Sequence, residues 1–351
     1  MIRLEEAGGI EIHARDLKKV YRMAGRRPGL LGGLGSLLRP QYHDVWAVQG
    51  ISFDIPTGQL VGYVGPNGAG KSTTVKMLAG ILHPTSGTIS VNGLSPQTQR
   101  QRLAWQIGVV FGQRSHLWWD LPAVDSFEIL AAMYEVPRGD YLDFMKKFSD
   151  LLGIDEFLQT PVRRLSLGQR MRADLAAAMI HRPRVLFLDE PTIGLDVVAK
   201  SRIREFLLEI NENQGVTILL TTHDLRDIEE LCKRVMVINH GKLVYDGSLS
   251  SLRDSAGLPT VLSVKYESLP KDLREGSVIR ANGAGANGNL DAGWAIESID
   301  QSTSTVRVAF DRSRSPAPSV IWAMRSFGEI KDVSLTEPLI EEIIKRLWKT
   351  G

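Results

Sequence analysis

Nine consecutive residues, GPNGAGKST (65–73), constrain this 351-residue chain more than any other stretch of it. They follow directly on the apolar pentad LVGYV and open a helical pattern that runs through Leu78. A strand, a glycine-rich turn and a helix in that order form a phosphate cradle: inward-turned backbone amides and the helix amino terminus together meet an anion. Gly65, Pro66, Asn67, Gly68, Ala69 and Gly70 supply the turn. Lys71 is placed to neutralise the β and γ phosphates of a nucleotide and the Ser72 hydroxyl to ligate Mg2+, and Thr73 counts with them among the nucleotide-binding residues of the motif. The unit calls for an α/β domain built on a mostly parallel sheet.

Composition narrows the class further. With 43% hydrophobic and 23% charged residues the chain can bury two unequal cores. Lys and Arg number 42 against 40 Asp and Glu, a formal charge of +2 that gives no general pull toward nucleic acid or anionic lipid. No apolar run approaches the roughly 20 residues that span a bilayer. The start of the chain, MIRLEEAGGIEIHARDLKK, is too charged for a secretory signal, and the single cysteine, Cys232, has no intrachain disulfide partner. A cytoplasmic compartment is expected, with any membrane association made through a partner or a surface contact.

Short β-rich runs alternate with helical patterns as far as residue 250, and among them 60–64, 184–188, 216–221 and 234–238 read as buried strands. Residues 125–134 and 141–152 carry apolar positions at helical spacing with no strand between them, which suggests a helical insertion at about 115–165. Beyond 250 the texture changes: 261–266, 294–299 and 305–310 read as strands, ANGAGANGN (281–289) as a loop, and 338–348 as an amphipathic helix with Leu339, Ile340, Ile343, Ile344, Leu347 and Trp348 on one face. The expected organisation is a nucleotide-binding α/β domain over 1–250 and a small α+β domain over 251–351.

VLFLDE (185–190) is an apolar strand ending in two carboxylates, so that Asp189 is placed to hold magnesium and Glu190 to polarise an attacking water. Between this strand and the phosphate cradle lies LSLGQR (165–170), followed by a helical run over 171–180. It resembles the signature sequence of the ABC ATPases, whose usual form has glycine where this chain has Leu167. The resemblance implies that Ser166, Gly168 and Gln169 meet the γ-phosphate bound by an opposite subunit.

The other marks of that family stand in its order. Gln113, in VVFGQR, resembles the glutamine that senses magnesium and the attacking water; Asp196, in IGLD, the aspartate of the loop at the dimer interface; His223, in LLTTHD, the histidine on the γ-phosphate; and Tyr21, in KKVYRM, the aromatic that stacks on adenine, with Tyr42 and Trp46 as substitutes. The resemblance covers about 12–250. It implies an ATP- and Mg2+-dependent ATPase that dimerises on ATP, a homodimer being expected, and works at the cytoplasmic face of a membrane through separate polytopic subunits, with no nucleic-acid partner. Asn67 and FGQRSHLWWDLP (111–122) resemble the ABC-2 exporters, in a branch related to drug and viologen exporters. Two alternatives stand beside export: a methionine-type importer ATPase, which also carries an α+β tail, and a soluble ABC clamp on nucleic acid or ribosomes, which ordinarily has two ATPase domains or long coiled coils. Trp118 and Trp119 are candidates for the docking groove of a membrane subunit or for core packing.

Residues 25–44 (GRRPGLLGGLGSLLRPQYHD) exceed the few residues a hairpin needs. Leu30, Leu31, Leu34, Leu37 and Leu38 fall at helical spacing between Arg26, Arg27 and Arg39, which reads as a short amphipathic helix or as a glycine-rich loop. In polysaccharide-exporting relatives, an element at this place reaches toward the membrane subunit.

Overall fold

The computed structural model describes residues 9–25, 41–112, 115–255, 259–276, 278–280, 293–312, 314–338 and 340–350. The chain divides into two compact units, Met1–Ser248 and Leu249–Gly351.

In the first unit, β1 (Ile10–Gly25) and β2 (Gln41–Pro56) pair antiparallel, and β4 (Ser86–Val91) joins the other side of β1. The described part of this hairpin corrects the insertion expected at 25–44. Gly25 pairs with Gln41, Ala24 with Tyr42 and Met23 with His43, so residues 41–44 belong to the strand, while the leucines of the expected helix lie outside the described residues.

The main sheet has the order β5-β6-β7-β3-β8-β9. Its strands are β3 (Leu60–Val64), β5 (Ile107–Phe111), β6 (Val185–Asp189), β7 (Thr217–Thr222), β8 (Arg234–Asn239) and β9 (Lys242–Ser248). The first five run parallel and β9 closes one edge antiparallel. Strands covered on both faces are apolar along their buried length, as LVGYV and the buried VLFL of β6 are. Parallel strands end on one side of the sheet, and the loops after β3, β5, β6 and β7 carry the motifs to that side.

Helices α1 (Lys71–Leu78), α2 (Arg100–Ala104), α5 (Leu167–Met179), α6 (Val197–Gln214) and α7 (Leu225–Leu231) alternate with these strands. Gly62 in β3 admits α7 closely, since a Cβ there would lie 2.5 Å from Ile228 Cδ1 and 3.2 Å from Cys232 Sγ. Between β5 and α5 stand α3 (Ala123–Met133) and α4 (Arg138–Leu152) with two short 3-10 turns and no described strand. Phe144 stacks on Phe148 at 4.2 Å, and Phe148 meets Phe206 of α6 edge-on at 5.5 Å, which anchors α4 by its apolar stripe.

The second unit opens with α8 (Leu249–Ser255) and contains an antiparallel sheet of order β11-β12-β13-β10-β14, formed by β10 (Thr260–Tyr266), β11 (Val278–Arg280), β12 (Gly293–Asp300), β13 (Thr305–Phe310) and β14 (Ile330–Thr336). Alternate residues Leu262, Val264, Tyr266, Val306, Val308 and Phe310 form its core face with Trp294 and Ile296. Helix α9 (Ala317–Arg325) adds Val320 and Met324 to that core, and Tyr266 donates its hydroxyl to the Met324 carbonyl at 2.8 Å. Helix α10 (Ile340–Thr350) buries Ile340, Ile343 and Ile344 and pairs Lys345 with Glu341 at 3.6 Å. The loop expected at 281–289, and Leu339, lie outside the described residues.

Candidate functional site

The turn after β3 is fixed by what it cannot hold. Gly70, the residue before α1, has φ 109°, and a Cβ there would stand 2.3 Å from the Ala47 carbonyl oxygen, so glycine alone fits. Thr74 Oγ1 donates to the Gly70 carbonyl at 3.0 Å and ties the turn to the first helical turn. Lys71 is buried, and its Nζ donates to the carbonyls of Gly65 at 2.6 Å and Pro66 at 3.2 Å. Burial pushes this ammonium below the ordinary lysine range, and the carboxylates of Glu190 and Asp189 oppose that.

A cavity of about 910 Å³ lies against the turn. Asn67, Gly68, Gly70, Lys71, Ser72 and Thr73 line one side of it. Asp189 and Glu190, from the end of β6, and His223, from the end of β7, line the other. Gly65, Pro66 and Ala69 are not part of the cavity's lining, and the Ala69 carbonyl accepts the Gly241 amide at 3.0 Å. The size suits a nucleotide-class ligand, and the anion-binding turn suits its phosphates.

Glu190 is held on several sides. Its Oε2 is bonded to His223 Nδ1, its Oε1 lies 4.0 Å from Lys71 Nζ, and its backbone sits at φ 59°. A non-glycine residue in the left-handed region costs on the order of 1 kcal/mol and persists only where neighbours fix it. Here the Glu190 amide is held by the Thr221 carbonyl at 3.0 Å. A carboxylate bridged by a histidine and a lysine can accept a proton from a water placed between it and a phosphate.

The other expected residues that the structure describes do not line this cavity. Tyr21, Tyr42 and Trp46 stand on the β1–β2 hairpin, 39%, 58% and 50% exposed, and among the described hairpin residues Ala47 lines the cavity. Lys19 Nζ lies 5.4 Å from the centre of the Tyr21 ring. Ser166 caps α5: its Oγ accepts the Gln169 amide at 3.2 Å, and Gln169 Oε1 accepts the Ser166 amide at 2.9 Å. Gly168 packs on α6, where a Cβ would lie 3.2 Å from Ala199 Cβ, and Leu167 approaches Gly194. Asp196 caps α6 by accepting the Ala199 amide at 2.8 Å. Gln113 lies outside the described residues, and its neighbours Gly112 and Ser115 line the cavity.

Among the described residues no group of three His, Cys, Asp or Glu side chains is placed to hold a metal ion by itself. Ser72 and Asp189 face one cavity with hard oxygen donors, a set that fits Mg2+, which keeps waters and phosphate oxygens as its other ligands.

Comparison with known proteins gives the arrangement its family. Residues 48–193 match the model of the family described as ABC transporter. The ABC transporter ATP-binding protein NatA of Bacillus subtilis (strain 168) is 33% identical over 60% of this chain and 85% of its own length. The Nod factor export ATP-binding protein I of Burkholderia thailandensis is 34% identical over 67% of this chain and 76% of its own. The chain belongs to the ABC transporter ATP-binding proteins. Its fold is that of the solved ATP-binding cassette MJ0796, a post-hydrolysis dimer bound to ADP and phosphate, which superimposes with a TM-score of 0.57 at 22% identity over 68% of this chain and 98% of that one.

This ABC ATPase binds ATP and hydrolyses it to ADP and phosphate in the service of transport. Among its described residues no helix is long and apolar enough to cross a membrane. The sequence reading missed several residues that shape the site. Thr221 Oγ1 donates to Asp189 Oδ1 at 2.6 Å. Gly112 lets the strand end before Gln113 meet β6, since its amide donates to the Asp189 carbonyl at 2.8 Å and a Cβ would lie 2.5 Å from the Glu190 carbonyl oxygen. Asp227, with 0% exposure, accepts from Thr192 Oγ1 at 2.5 Å and from Arg204 Nε at 2.7 Å, and so ties the segment after Glu190 to α6 and α7. None of these forms a pattern in sequence; the available signal was adjacency to Glu190, Gln113 and His223.

Proposed function

We propose that Glu190 is the general base of this ABC ATPase, that two copies of the chain close on two ATP molecules, and that this closure drives export through separate polytopic membrane subunits from the cytoplasmic face. The observation that carries the chemistry is the contact of one carboxylate with His223 and, at 4.0 Å, with Lys71 beside the phosphate-binding turn.

The turn 65–70 receives the β and γ phosphates on its amides, and Lys71 exchanges its carbonyl partners for phosphate oxygens. Ser72, Asp189 and Gln113 would hold Mg2+, which when bound neutralises phosphate charge. Glu190 accepts a proton from water as the water oxygen bonds to the γ phosphorus and the bond to the ADP oxygen breaks. His223 orients both carboxylate and water.

A second copy is supported by the residues that the chain's own cavity leaves out. Ser166, Gly168 and Gln169 open α5 and Asp196 opens α6, and the Ser166 hydroxyl, although its oxygen accepts the Gln169 amide, still has a hydrogen to donate. A phosphate-seeking loop away from its own phosphate site fits a site on another copy. Tyr21 is assigned to the adenine and the unit Leu249–Gly351 to an accessory role.

The test is Glu190→Gln. The amide should leave ATP affinity within about threefold of wild type, lower hydrolysis by about a hundredfold or more, and trap an ATP-dependent dimer on size-exclusion chromatography. Near-wild-type turnover would remove Glu190 from the role of base, and a strictly monomeric variant at saturating ATP, with membrane partners present, would remove the sandwich. Export is read from substrate movement in vesicles that carry the membrane subunits.

A further inference from the structure

A connection that no sequence motif marks runs from the nucleotide cavity to the helix that begins at Ser166. The segment 115–119, just after Gln113, lies along α5 and is gripped twice by it. Asp174 is 3% exposed, and its Oδ1 accepts both the Ser115 hydroxyl at 2.8 Å and the His116 amide at 3.0 Å. One turn nearer the start of the helix, the Arg170 guanidinium lies 5.7 Å from the centre of the Trp119 ring. Positions 170 and 174 are four apart and share one face of α5.

The gripped segment is itself stiff. Ser115 Oγ also accepts the Leu117 amide at 3.2 Å, and the Trp118 amide donates to Ser126 Oγ of α3 at 3.2 Å. Its first residues, Ser115 and His116, line the nucleotide cavity. Thus one side chain in the middle of α5 is bonded to the cavity wall, while the amino end of the same helix carries Ser166.

We propose that Asp174 is a positioning residue that makes the cavity wall at Ser115 and His116 and the helix carrying Ser166 move as one piece, so that occupancy of one copy's cavity sets the placement of the loop it offers to the other. This rests on the two-copy reading above. An apolar side chain at 174 would pack the helix equally well, but it would leave the Ser115 hydroxyl and the His116 amide to find other acceptors and the two parts free to separate.

The experiment uses the purified full chain. Steady-state hydrolysis gives kcat and the Hill coefficient for ATP, and equilibrium ATP binding is measured in a Glu190→Gln background. Asp174→Ala should bind ATP within about twofold of wild type, lose about tenfold in kcat and bring the Hill coefficient to about 1. Ser115→Ala should show a smaller loss in the same direction, and the double variant should be no worse than Asp174→Ala alone. Asp174→Asn, which keeps an acceptor, should recover more than half of the lost rate.

Wild-type kcat and cooperativity in Asp174→Ala, additive losses in the double variant, or an affinity that falls in step with kcat would each overturn the proposal. If Asp174→Ala does not fold, Ser115→Ala and Asp174→Asn decide, and wild-type cooperativity in Ser115→Ala overturns it. An active Glu190→Gln single variant would instead overturn the reading beneath, whereas an inactive one beside an unaffected Asp174→Ala removes this inference alone.

Discussion

The Thr221 hydroxyl donates to Asp189 Oδ1 at 2.6 Å across two neighbouring parallel strands. It fixes which face of the carboxylate is left for the cavity, and the same threonine holds the Glu190 amide through its carbonyl at 3.0 Å. Thr221→Val keeps the shape of the side chain and removes the donor. The magnesium concentration for half-maximal hydrolysis should then rise about tenfold, the usual cost of losing an outer partner of a metal ligand, while ATP binding without metal stays as in wild type. Titration of both activities against magnesium decides it.

Gly70→Ala places a Cβ 2.3 Å from the Ala47 carbonyl at a φ of 109°, so the turn must open. ATP affinity should fall by at least about a hundredfold, a loss of roughly 3 kcal/mol. The far-ultraviolet circular dichroism should be unchanged, because the strain is local to one turn. Calorimetric titration of ATP measures it, and an affinity within threefold of wild type would contradict the close contact.

Ser166 has two jobs that one substitution separates. Aspartate is as good a helix cap as serine, but its carboxylate cannot donate to a phosphate and repels one. Ser166→Asp should therefore melt within about 2 °C of wild type, since a cap exchange of this kind changes stability by only a few tenths of a kcal/mol. It should nevertheless abolish ATP-dependent dimerisation, read by light scattering in the Glu190→Gln background.

Burial pushes the Asp174 carboxyl up to about 6 from the ordinary 3.8, with its bonds from Ser115 and His116 and the charge of Arg170 opposing. Between those values the folded chain holds a proton on Asp174 that the unfolded chain has released, so the contribution of this group to stability is full below about pH 4 and is lost as pH rises through 6. A displacement of this size corresponds to about 3 kcal/mol. Asp174→Asn should flatten that part of the profile, seen as a smaller drop in the melting midpoint between pH 4.5 and pH 7 for the transition that ATP shifts upward.

The parts legible in sequence were those set by local pattern. LVGYV could only be a doubly covered strand, and β3 occupies the positions read for it; 184–188, 216–221 and 234–238 were each placed within one residue of β6, β7 and β8. The helix at the phosphate-binding turn followed from the motif, and the amphipathic face of α10 from its spacing. Strand β14 escaped because IKDVSLT alternates weakly and its residues are mostly exposed at a sheet edge. Helix α9 escaped because APSVIWAMR follows a proline and shows too few turns to establish a period. In the site, Lys71, Ser72, Asp189, Glu190 and His223 stood out because each carries its chemistry on its own side chain, and the glycines of the turn because the motif spaces them. Thr221, Asp174 and Asp227 did not, because a threonine or aspartate acquires its role from a partner 32, 59 or 35 positions away.

Cys232 is 4% exposed, packed beneath Gly62, and burial pushes its thiol far above the ordinary cysteine range. It is also the chain's single cysteine. A thiol with almost no thiolate and no access does not react with maleimides under native conditions. The natural sequence is therefore already a clean background for labelling. One new surface cysteine gives one reporter position, and a cysteine beside Ser166 with another beside Gly68 would record by cross-linking whether the two loops meet between copies, without first rebuilding the core around a removed sulfur.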